Sequence, residues 1–324
     1  MIGVGSLGFH HARILRELPE AEFRGIYDAS AARAADVASQ LGIVAAPSLD
    51  ALLDDVDAVT IAVTTPEHYA VAKQAIARGR HVLIEKPLTT TLEEADELLE
   101  LARRNGVVVQ TGHVERFNRS VRAALPHVDS PRFIQSDRLA PFNLRGSDVA
   151  VVLDLMIHDI DLVLTLVGSD ADDVHAVGVP VLTPFVDIAN ARMTFRGGAV
   201  ANITASRVSR DKLRKIRIFQ QSGYLSLDLA AGTGEFYRLR PGAAAAAMAT
   251  TGEPLALESF VERVALEAPD GEPLRLEMES FVAAVRGERD VAVSGEAGRR
   301  ALAVALRIVG EIERSLPSLR GAPA

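Results

Sequence analysis

The chain has 324 residues, enough for two domains that each bury a hydrophobic core, and its 48% apolar and 24% charged residues are typical of a globular protein. Its net charge of −8 argues against a nucleic-acid-binding protein, whose surface would be basic. The sequence has no cysteine, no apolar run long enough to span a membrane and no basic-then-apolar leader. It therefore excludes disulfides, thiolate metal sites and membrane-spanning helices, and we expect a cytoplasmic protein.

Residues 1 to about 118 alternate short apolar runs with amphipathic helices, which is typical of a parallel sheet with helical crossovers. One helix begins at Thr91, with Glu94 completing a capping box, and ends at Asn105-Gly106. The pattern predicts an α/β fold in which residues 1–118 form an N-terminal Rossmann dinucleotide-binding domain. Its predicted strands cover residues 23–27, 43–46, 58–63, 81–84 and 107–110.

A glycine-rich turn, Gly3-Val4-Gly5-Ser6-Leu7-Gly8, opens the chain and leads into a helix. Glycines in this pattern permit a tight turn and the close approach of a pyrophosphate, which then sits on the helix N-terminus. Asp28 ends the next predicted strand, 20 residues after Gly8, where an acid accepts hydrogen bonds from an adenosine ribose and repels a 2′-phosphate. The pattern predicts NAD rather than NADP. The alternative is a structural turn beside a surface aspartate.

The strand that leads into this turn is short, because the first glycine is already residue 3. In a dinucleotide-binding sheet that strand is central, and its loss would leave the neighbouring strands without a partner. We therefore expect the first strand to be truncated, with several N-terminal residues missing.

Glu85-Lys86-Pro87 comes directly after the apolar run 82–84, where a predicted buried strand ends. Open α/β sheets bind their ligands at the carboxyl ends of the strands, so Lys86 is placed at the mouth of a crevice. Glu85 can pair with the lysine or orient it, and Pro87 fixes the backbone. The pattern predicts an active-site lysine, with a solvated loop as the alternative.

From about residue 130 the pattern changes to long alternating strands with turns between them, which predicts an antiparallel sheet. Runs of strands with helices grouped apart favour an α+β domain over 119–324, an open-faced, mostly antiparallel sheet with helices on one face. We expect this domain to bind substrate and to form a homodimer or homotetramer through the open face. Residues 240–247 are predicted to be a low-complexity loop. The predicted strands are 133–138, 174–179, 188–195, 199–208, 215–220 and 223–229, and the predicted helices are 149–166, 277–285 and 296–315.

Asp154, His158 and Asp161 lie four and three residues apart in the first of these helices, on one face of an apolar stretch. Polar groups in such surroundings need partners, and the pattern fits either a catalytic or a structural His–Asp pair. We predict no metal, because zinc sites usually need three protein ligands. His158-Asp159 is also similar to the HD-type phosphohydrolase motif, but no further metal-spaced cluster supports that hypothesis.

The glycine turn, Glu85-Lys86-Pro87 and Asp154-x-x-x-His158 together resemble the Gfo/Idh/MocA oxidoreductase family, over nearly the whole chain. The likeness extends to Thr64-Thr65-Pro66-Glu67-His68, to Arg116-Phe117-Asn118 and to a closing pattern over 276–298. The order and spacing of these motifs are specific, and the short first strand is the departure from the family pattern.

This resemblance implies an NAD-dependent dehydrogenase in which Lys86 and His158 flank the reacting carbon of the substrate, with Asp154 beside them. Histidine is the usual general base for an alcohol proton, a lysine cation can hold the developing alkoxide, and an aspartate can fix the imidazole tautomer. The residues implied to bind the cofactor are Gly3, Gly5, Ser6, Leu7, Gly8, Asp28, Thr64, Thr65, Pro66, His68, Glu85, Lys86 and Arg116.

Residues 132–142 and 151–161 resemble the subgroup that oxidises UDP-N-acetylglucosamine at C3, which supplies a 3-keto sugar to an aminotransferase in lipid A biosynthesis. The implied substrate site contains Lys86, Arg138, Arg145, Asp154 and His158, with the arginines holding the diphosphate. Six cations in the eleven residues from Arg207 to Arg217 could also hold a diphosphate. A solvated strand face or a subunit contact is the alternative for that cluster.

Two other functions stay open: a dehydrogenase of the same family acting on a free sugar or cyclitol, and a catalytically silent NAD-binding regulator. The presence of Lys86, Asp154 and His158 argues against the regulator. We expect a small-molecule sugar or nucleotide-sugar substrate, and neither nucleic acid nor membrane as a partner.

Overall fold

The computed structural model of the chain describes residues 1–144, 146, 149–240, 242 and 260–315. Arg145 and most of the predicted low-complexity loop 240–247 lie outside these ranges. Two compact units result from the contacts within the chain. The first unit is Met1–Phe117 with Gly271–Ala303, and the second is Asn118–Asp270 with Val304–Ala324.

The α-helices of the described chain are α1 Ser6–Glu17, α2 Ala31–Leu41, α3 Leu49–Asp54, α4 Thr65–Ala77, α5 Leu92–Asn105, α6 Arg119–Ala124, α7 Ile157–Val167, α8 Pro273–Val285 and α9 Gly295–Ser315. Helix α5 begins with the predicted capping box between Thr91 and Glu94. It ends at Gly106, whose φ of 63° is the left-handed conformation that glycine adopts without steric cost. Both predicted boundaries of this helix are therefore confirmed.

The strands are β1 Ala58–Ile61, β2 His81–Glu85, β3 Val109–Gly112, β4 Phe133–Leu139, β5 Ala171–Val179, β6 Ile188–Phe195, β7 Val200–Ser206, β8 Leu213–Gln220, β9 Gly223–Asp228, β10 Thr233–Leu239 and β11 Val261–Leu266. Strands β1 to β3 pair in parallel in the first unit, and the rest form one sheet in the second. The predicted fold class, a Rossmann domain followed by a mostly antiparallel sheet domain, is confirmed.

Single-residue bridges extend the parallel sheet of the first unit beyond β1. Ile2 bridges in parallel to both Ile61 and Tyr27, and Ile26 bridges in parallel to Ala45. The segments around Ala45, Tyr27 and Ile2 therefore lie side by side in that order, and β1, β2 and β3 follow. This is the strand order of a doubly wound sheet. The chain around Ile2 occupies the central position of this sheet.

The first strand is as short as predicted, yet it pairs on both sides. The Ile2 N–H donates to the Thr60 carbonyl at 2.8 Å, the Ala62 N–H donates to the Ile2 carbonyl at 2.9 Å, and the Gly3 N–H donates to the Tyr27 carbonyl at 2.8 Å. The described residues therefore supply the pairing that we expected missing N-terminal residues to provide.

The segment Gly271–Ala303 packs with the first unit, whereas the predicted boundaries placed all of 119–324 in one domain. Met278 and Phe281 of α8 are buried in one apolar cluster with Ile14 and Leu83. Gly298 in α9 approaches Thr111 so closely that a Cβ would lie 2.1 Å from its hydroxyl oxygen. Contacts between segments so distant in sequence produce no local sequence pattern. The predicted domain boundaries therefore did not include 271–303 in the first unit.

The second unit contains an eight-stranded sheet in the order β11-β10-β9-β8-β4-β7-β6-β5. All pairs are antiparallel except β4 with β7, which run in parallel. Strands β4 to β9 were predicted, but β10 and β11 were not. Helix α7 packs on β4 and β7, and alternate residues of β4 (Ile134, Ser136 and Arg138) are buried.

The helix predicted over 149–166 is interrupted by a wider turn. Val152–Met156 forms a π-helix, and α7 begins only at Ile157, whose N–H donates to the Val152 carbonyl. Such wide turns inside helices occur frequently at functional sites. The uninterrupted α-helix was therefore wrong, although Asp154 and His158 lie in the π-turn and the first turn of α7.

Candidate functional site

The carboxyl end of the parallel sheet collects most of the residues predicted to bind the cofactor. The glycine turn follows the strand at Ile2, Asp28 follows the strand at Tyr27, and Thr64 and Lys86 follow β1 and β2. Parallel strands bring their carboxyl ends to one edge of a sheet, so the first unit places these residues along that edge.

The three glycines of the turn have different structural roles. Gly3 has a φ of 79°, and a Cβ there would lie 2.8 Å from the Val63 backbone nitrogen. A Cβ on Gly8 would lie 1.9 Å from the Gly3 carbonyl oxygen, so these two glycines are required for packing. A Cβ on Gly5 would meet nothing within 4 Å. The absence of a side chain at Gly5 therefore leaves exposed space, where a pyrophosphate fits.

The N-terminus of α1 adjoins this space and suits an anion. No side chain caps the helix at Gly5, and no acidic residue lies in its first turn. Gly5 and Ser6 are exposed and Leu7 is half-buried. The backbone N–H groups and the dipole of such a helix end favour phosphate, so the turn fits the dinucleotide implied by the sequence.

Asp28 lies beside this helix end and is held by the backbone. Its carboxylate accepts hydrogen bonds from the Val4 N–H at 2.7 Å and from the Ser30 N–H at 2.9 Å, and the side chain is half-buried. Each carboxylate oxygen has two acceptor sites, so Asp28 retains capacity for the hydroxyls of a ribose. Its position is consistent with the predicted ribose contact.

Thr64, Thr65 and Pro66 form the start of α4, with Thr64 and Pro66 exposed and Thr65 half-buried. His68 is only 1% exposed, with its Nδ1 2.9 Å from the Pro87 carbonyl and its Nε2 3.2 Å from the Val63 carbonyl. Burial lowers the pKa of its imidazole, so the neutral ring donates to one of these carbonyls at a time. His68 thus contacts the backbone after β1 and after β2. Its contact with the cofactor stays a prediction.

Lys86 is half-buried at the end of β2, and its peptide bond to Pro87 is cis. The Glu85 carboxylate is 7% exposed, accepts a hydrogen bond from the Lys86 N–H at 3.2 Å and lies 3.0 Å from the His11 Nε2. Glu85 therefore contacts His11 and the backbone of Lys86 in this structure. Its contact with the cofactor stays a prediction. Arg116 is half-buried in a 3₁₀-helix after β3.

The second unit contains the other predicted catalytic residues. Asp154 and His158 are half-buried, whereas Asp161 is 1% exposed. The Asp154 carboxylate lies against Gly146, where a Cβ would come within 2.5 Å of an Asp154 oxygen. The two residues predicted to act on substrate thus remain partly accessible, and Asp161 belongs to the core.

Arg138 forms a buried ion pair. Its Nε donates to an Asp159 oxygen at 2.6 Å, Ser136 donates to the same carboxylate at 2.9 Å, and the Arg138 and Asp159 side chains are 3% and 1% exposed. In this structure the guanidinium is enclosed rather than open to solvent. Its contact with substrate stays a prediction, and the ion pair with Asp159 favours a structural role. Arg145, the other predicted arginine, lies outside the described residues.

Arg207, the first cation of the basic cluster, is also structural. It is 4% exposed, donates to the Gly146 carbonyl, and donates to the Val149 carbonyl at 2.5 Å. Its Nε lies 3.7 Å from the carboxylate of buried Asp187. Arg210, Lys212 and Arg217 are exposed, and Arg214 and Lys215 are half-buried. Only these later members remain accessible to an anion.

Within the described ranges, no group of three or more His, Asp or Glu side chains is arranged to hold a metal ion. Nor does any helix in this part of the chain have the length and apolar character needed to cross a membrane.

Sequence reasoning missed three residues that contact predicted site residues: His11 against Glu85, Gly112 beside the same carboxylate, and Asp159 paired with Arg138. His11 occupies an apolar position of α1, at helical spacing from Ile14, and that spacing signalled its burial. For Gly112 and Asp159 the sequence carries no local signal, because their partners lie on other elements.

Replacing Asp28 with Ala or Asn should weaken NAD binding and relax the preference over NADP. Loss of a charge-assisted hydrogen bond costs about 1.5–3 kcal/mol, which corresponds to about 10- to 100-fold in Kd. Both variants also disturb the Val4 and Ser30 N–H partners, so the melting temperature should fall as well. The decisive measurement is the ratio of the Kd values for NAD and NADP, because a general loss of stability would not change it. An unchanged ratio would contradict the ribose contact.

Comparisons with known proteins agree with this geometry. Residues 1–113 match a family described as "Oxidoreductase family, NAD-binding Rossmann fold", and residues 120–226 match the "GFO/IDH/MocA C-terminal domain". The UDP-N-acetylglucosamine 3-dehydrogenase of Acidithiobacillus ferrooxidans is 41% identical over 317 residues, 98% of this chain and 97% of that protein. A solved structure of that enzyme has a TM-score of 0.87 and 40% identity, covering 97% of this chain and 96% of the other.

A more distant relative acts on a cyclitol. The NAD⁺-dependent scyllo-inositol 2-dehydrogenase of Bacillus subtilis is 29% identical over 228 residues, 64% of this chain and 67% of that protein. The two matched domains together extend through the glycine turn, Lys86, Asp154 and His158. The chain belongs to the Gfo/Idh/MocA family of oxidoreductases, and its cofactor is NAD.

Proposed function

We propose that the protein oxidises the C3 hydroxyl of UDP-N-acetylglucosamine to a ketone, with NAD as the oxidant. The observation that supports this most strongly is the 41% identity, over 98% of the chain, with an enzyme named for that reaction. The likeness covers both units rather than the dinucleotide-binding part alone, so it includes the segments that distinguish substrates.

We assign the chemistry to the accessible predicted residues of each unit. His158 removes the proton from the substrate hydroxyl, and Asp154 fixes the tautomer of the His158 imidazole. The Lys86 ammonium stabilises the negative charge that develops on the substrate oxygen. NAD, when bound, supplies the acceptor for the hydrogen that leaves the carbon as hydride. Gly5, the N-terminus of α1 and Asp28 would hold that dinucleotide.

The diphosphate of the substrate needs cations that solvent can reach. Arg138 and Arg207 are buried in other pairings, which leaves Arg145 and the exposed Arg210, Lys212 and Arg217 as candidates. A bidentate arginine–phosphate contact would fix the register of the sugar, which selectivity for C3 requires.

A free cyclitol is the second candidate substrate, and the match to the scyllo-inositol enzyme favours it. That match covers 64% of the chain at 29% identity, less in both respects than the match to the nucleotide-sugar enzyme. A cyclitol has no diphosphate, so it would not use the accessible arginines.

The proposed reaction also suggests a pathway and a compartment. A 3-keto nucleotide sugar is a substrate for amination, which is consistent with a step in lipid A biosynthesis. Both NAD and UDP-sugars are metabolites of the cytoplasm, so we place the reaction there.

We further propose that the outward face of the eight-stranded sheet binds a second copy of the chain. A row of aromatic rings crosses this face, with successive ring centroids 5.6, 4.8 and 5.4 Å apart through Phe133, Phe219, Tyr224 and Tyr237. Phe219 is 38% exposed, and Val177 at the other end of the sheet is 63% exposed. Exposed apolar rows of this kind mark protein contacts. Sedimentation should show a dimer or tetramer that Phe219→Lys weakens, and a monomeric wild-type protein would contradict this assembly.

The experiment that tests the activity is a substrate panel. Purified protein with NAD is mixed with UDP-N-acetylglucosamine, UDP-N-acetylgalactosamine, UDP-glucose, free N-acetylglucosamine and myo-inositol, and NADH absorbance is followed. We expect the highest kcat/KM with UDP-N-acetylglucosamine. Efficient turnover of inositol or a free sugar, with no activity on any UDP-sugar, would establish the second candidate instead.

A further inference from the structure

A buried histidine contacts the glutamate that precedes Lys86 in the chain. His11 of α1 is fully buried, and its Nε2 is 3.0 Å from a carboxylate oxygen of Glu85, within hydrogen-bonding distance. Neither ring nitrogen makes a well-aligned hydrogen bond among the residues that the structure describes, so the contact with Glu85 is defined by its short distance. The Glu85 carboxylate is therefore the charged neighbour of this buried imidazole.

The sheet leaves room for that carboxylate. Glu85 ends β2, and its register partner on β3 is Gly112. A Cβ on Gly112 would lie 2.8 Å from the Glu85 carboxyl carbon and from one of its oxygens. A larger residue at position 112 would displace the carboxylate. The pocket for Glu85 therefore depends on residues of β2, β3 and α1 together.

The titratable groups around Glu85 are His11 from α1, Lys86 next in the chain and His68 from α4. Burial alone would raise the pKa of the Glu85 carboxyl, but contact with His11 and the charge of Lys86 hold that pKa below its usual value. Glu85 is thus ionised at neutral pH. A buried carboxylate is costly unless it is paired, and His11 and the Lys86 N–H provide its partners.

We propose that His11 is a positioning residue for Lys86, acting through Glu85. The imidazole fixes the carboxylate, and the carboxylate fixes the backbone of Lys86 and stabilises the positive charge of its ammonium. The effect on turnover rests on the proposed function, in which that ammonium stabilises the substrate oxygen. The effect on Lys86 itself does not.

Helix α1 thereby serves both parts of the site in the first unit. Its N-terminus adjoins the space at Gly5 that suits a pyrophosphate, and His11 lies in its second turn against Glu85. A shift of the helix would move both. His10, the neighbouring residue on the same helix, is exposed and is a matched control.

The chain offers a direct probe of this arrangement, because it contains only four lysines, Lys73, Lys86, Lys212 and Lys215. Protein labelled with [6-¹³C]lysine is titrated by NMR, and the Lys86 signal is identified by its loss in Lys86→Arg. Lys73 is the internal reference, since its ammonium is hydrogen-bonded to Glu97 at 2.6 Å. The titration is repeated in His11→Ala, His11→Gln, Glu85→Gln and His10→Ala.

We expect His11→Ala and Glu85→Gln to lower the pKa of the Lys86 ammonium by about 1 or more, because an adjacent anion is neutralised or displaced. His11→Gln, whose amide can donate from a similar position, should retain most of the wild-type value, and His10→Ala all of it. The pH profile of kcat should shift in the same variants. A Lys86 pKa that is unchanged in folded His11→Ala would overturn the proposal.

If His11→Ala does not fold, His11→Gln is compared with His11→Asn, whose shorter amide cannot reach the Glu85 carboxylate. A Lys86 pKa lower in the Asn variant supports the proposal, and equal values overturn it. The titration contains no substrate, so failure of the substrate panel would leave its result intact. Conversely, activity on UDP-N-acetylglucosamine together with an unchanged Lys86 pKa would reject the positioning role of His11 and leave the proposed function standing.

Discussion

Replacing Lys86 or His158 with alanine is expected to lower kcat by about 10²–10⁴-fold, while the fold and NAD binding survive. General acid–base and charge-stabilising groups contribute rate factors of this size. Both side chains are half-buried rather than enclosed, so their removal leaves the core of each unit unchanged. Steady-state kinetics, with NAD titration and circular dichroism on the same samples, measure the three quantities.

Matched controls for these variants are Lys73→Ala and His175→Ala. The Lys73 and His175 side chains are 45% and 73% exposed and pair with surface acids. Their kcat should stay near that of the wild type. Near-normal turnover in His158→Ala would return that residue to a structural His–Asp pair. Should the alanine variant fail to fold, His158→Asn, which keeps a polar side chain without a basic nitrogen, takes its place.

Arg138→Ala or Asp159→Ala is expected to lower the free energy of unfolding by about 3–5 kcal/mol, since each removes one partner of a buried ion pair. Ser136 would also lose its acceptor in the Asp159 variant. Chemical denaturation measures the change, and Arg192→Ala is the control, because Arg192 is exposed on β6 and donates a 3.2 Å hydrogen bond to Asn202.

The same variants separate a structural arginine from a substrate arginine. The buried pair predicts a loss of stability in Arg138→Ala that does not depend on ligand. An Arg138→Ala protein with wild-type stability and a raised KM for the nucleotide sugar alone would contradict the structural role and restore the phosphate contact.

Local sequence patterns predicted the parts of the fold that local physics determines. The capping box at Thr91 and the left-handed Gly106 bound α5 as expected, because caps depend on residues three or four apart. The glycine turn and Asp28 were recognisable because their spacing follows from the geometry of one strand–helix–strand unit. These features locate the cofactor end of the sheet.

Pairings between distant segments could not be predicted in this way. The Arg138–Asp159 pair joins a strand to a helix, and α8 joins the first unit through an apolar contact with α1. The π-turn around Asp154 also has no periodic signature, since its residues are apolar at helical spacing. Residue type alone therefore suggested a phosphate-binding role for Arg138, and the burial that favours a structural role is visible only in the structure.

The most direct test of the proposed reaction follows the hydrogen at C3. UDP-N-acetylglucosamine carrying deuterium at C3 is incubated with the protein and NAD, and both products are analysed by mass spectrometry. Oxidation at C3 predicts that the deuterium moves to the nicotinamide, so the reduced cofactor is heavier and the keto sugar has lost its label. Unlabelled NADH together with a sugar product that retains deuterium would place the oxidation at another carbon and contradict the proposal.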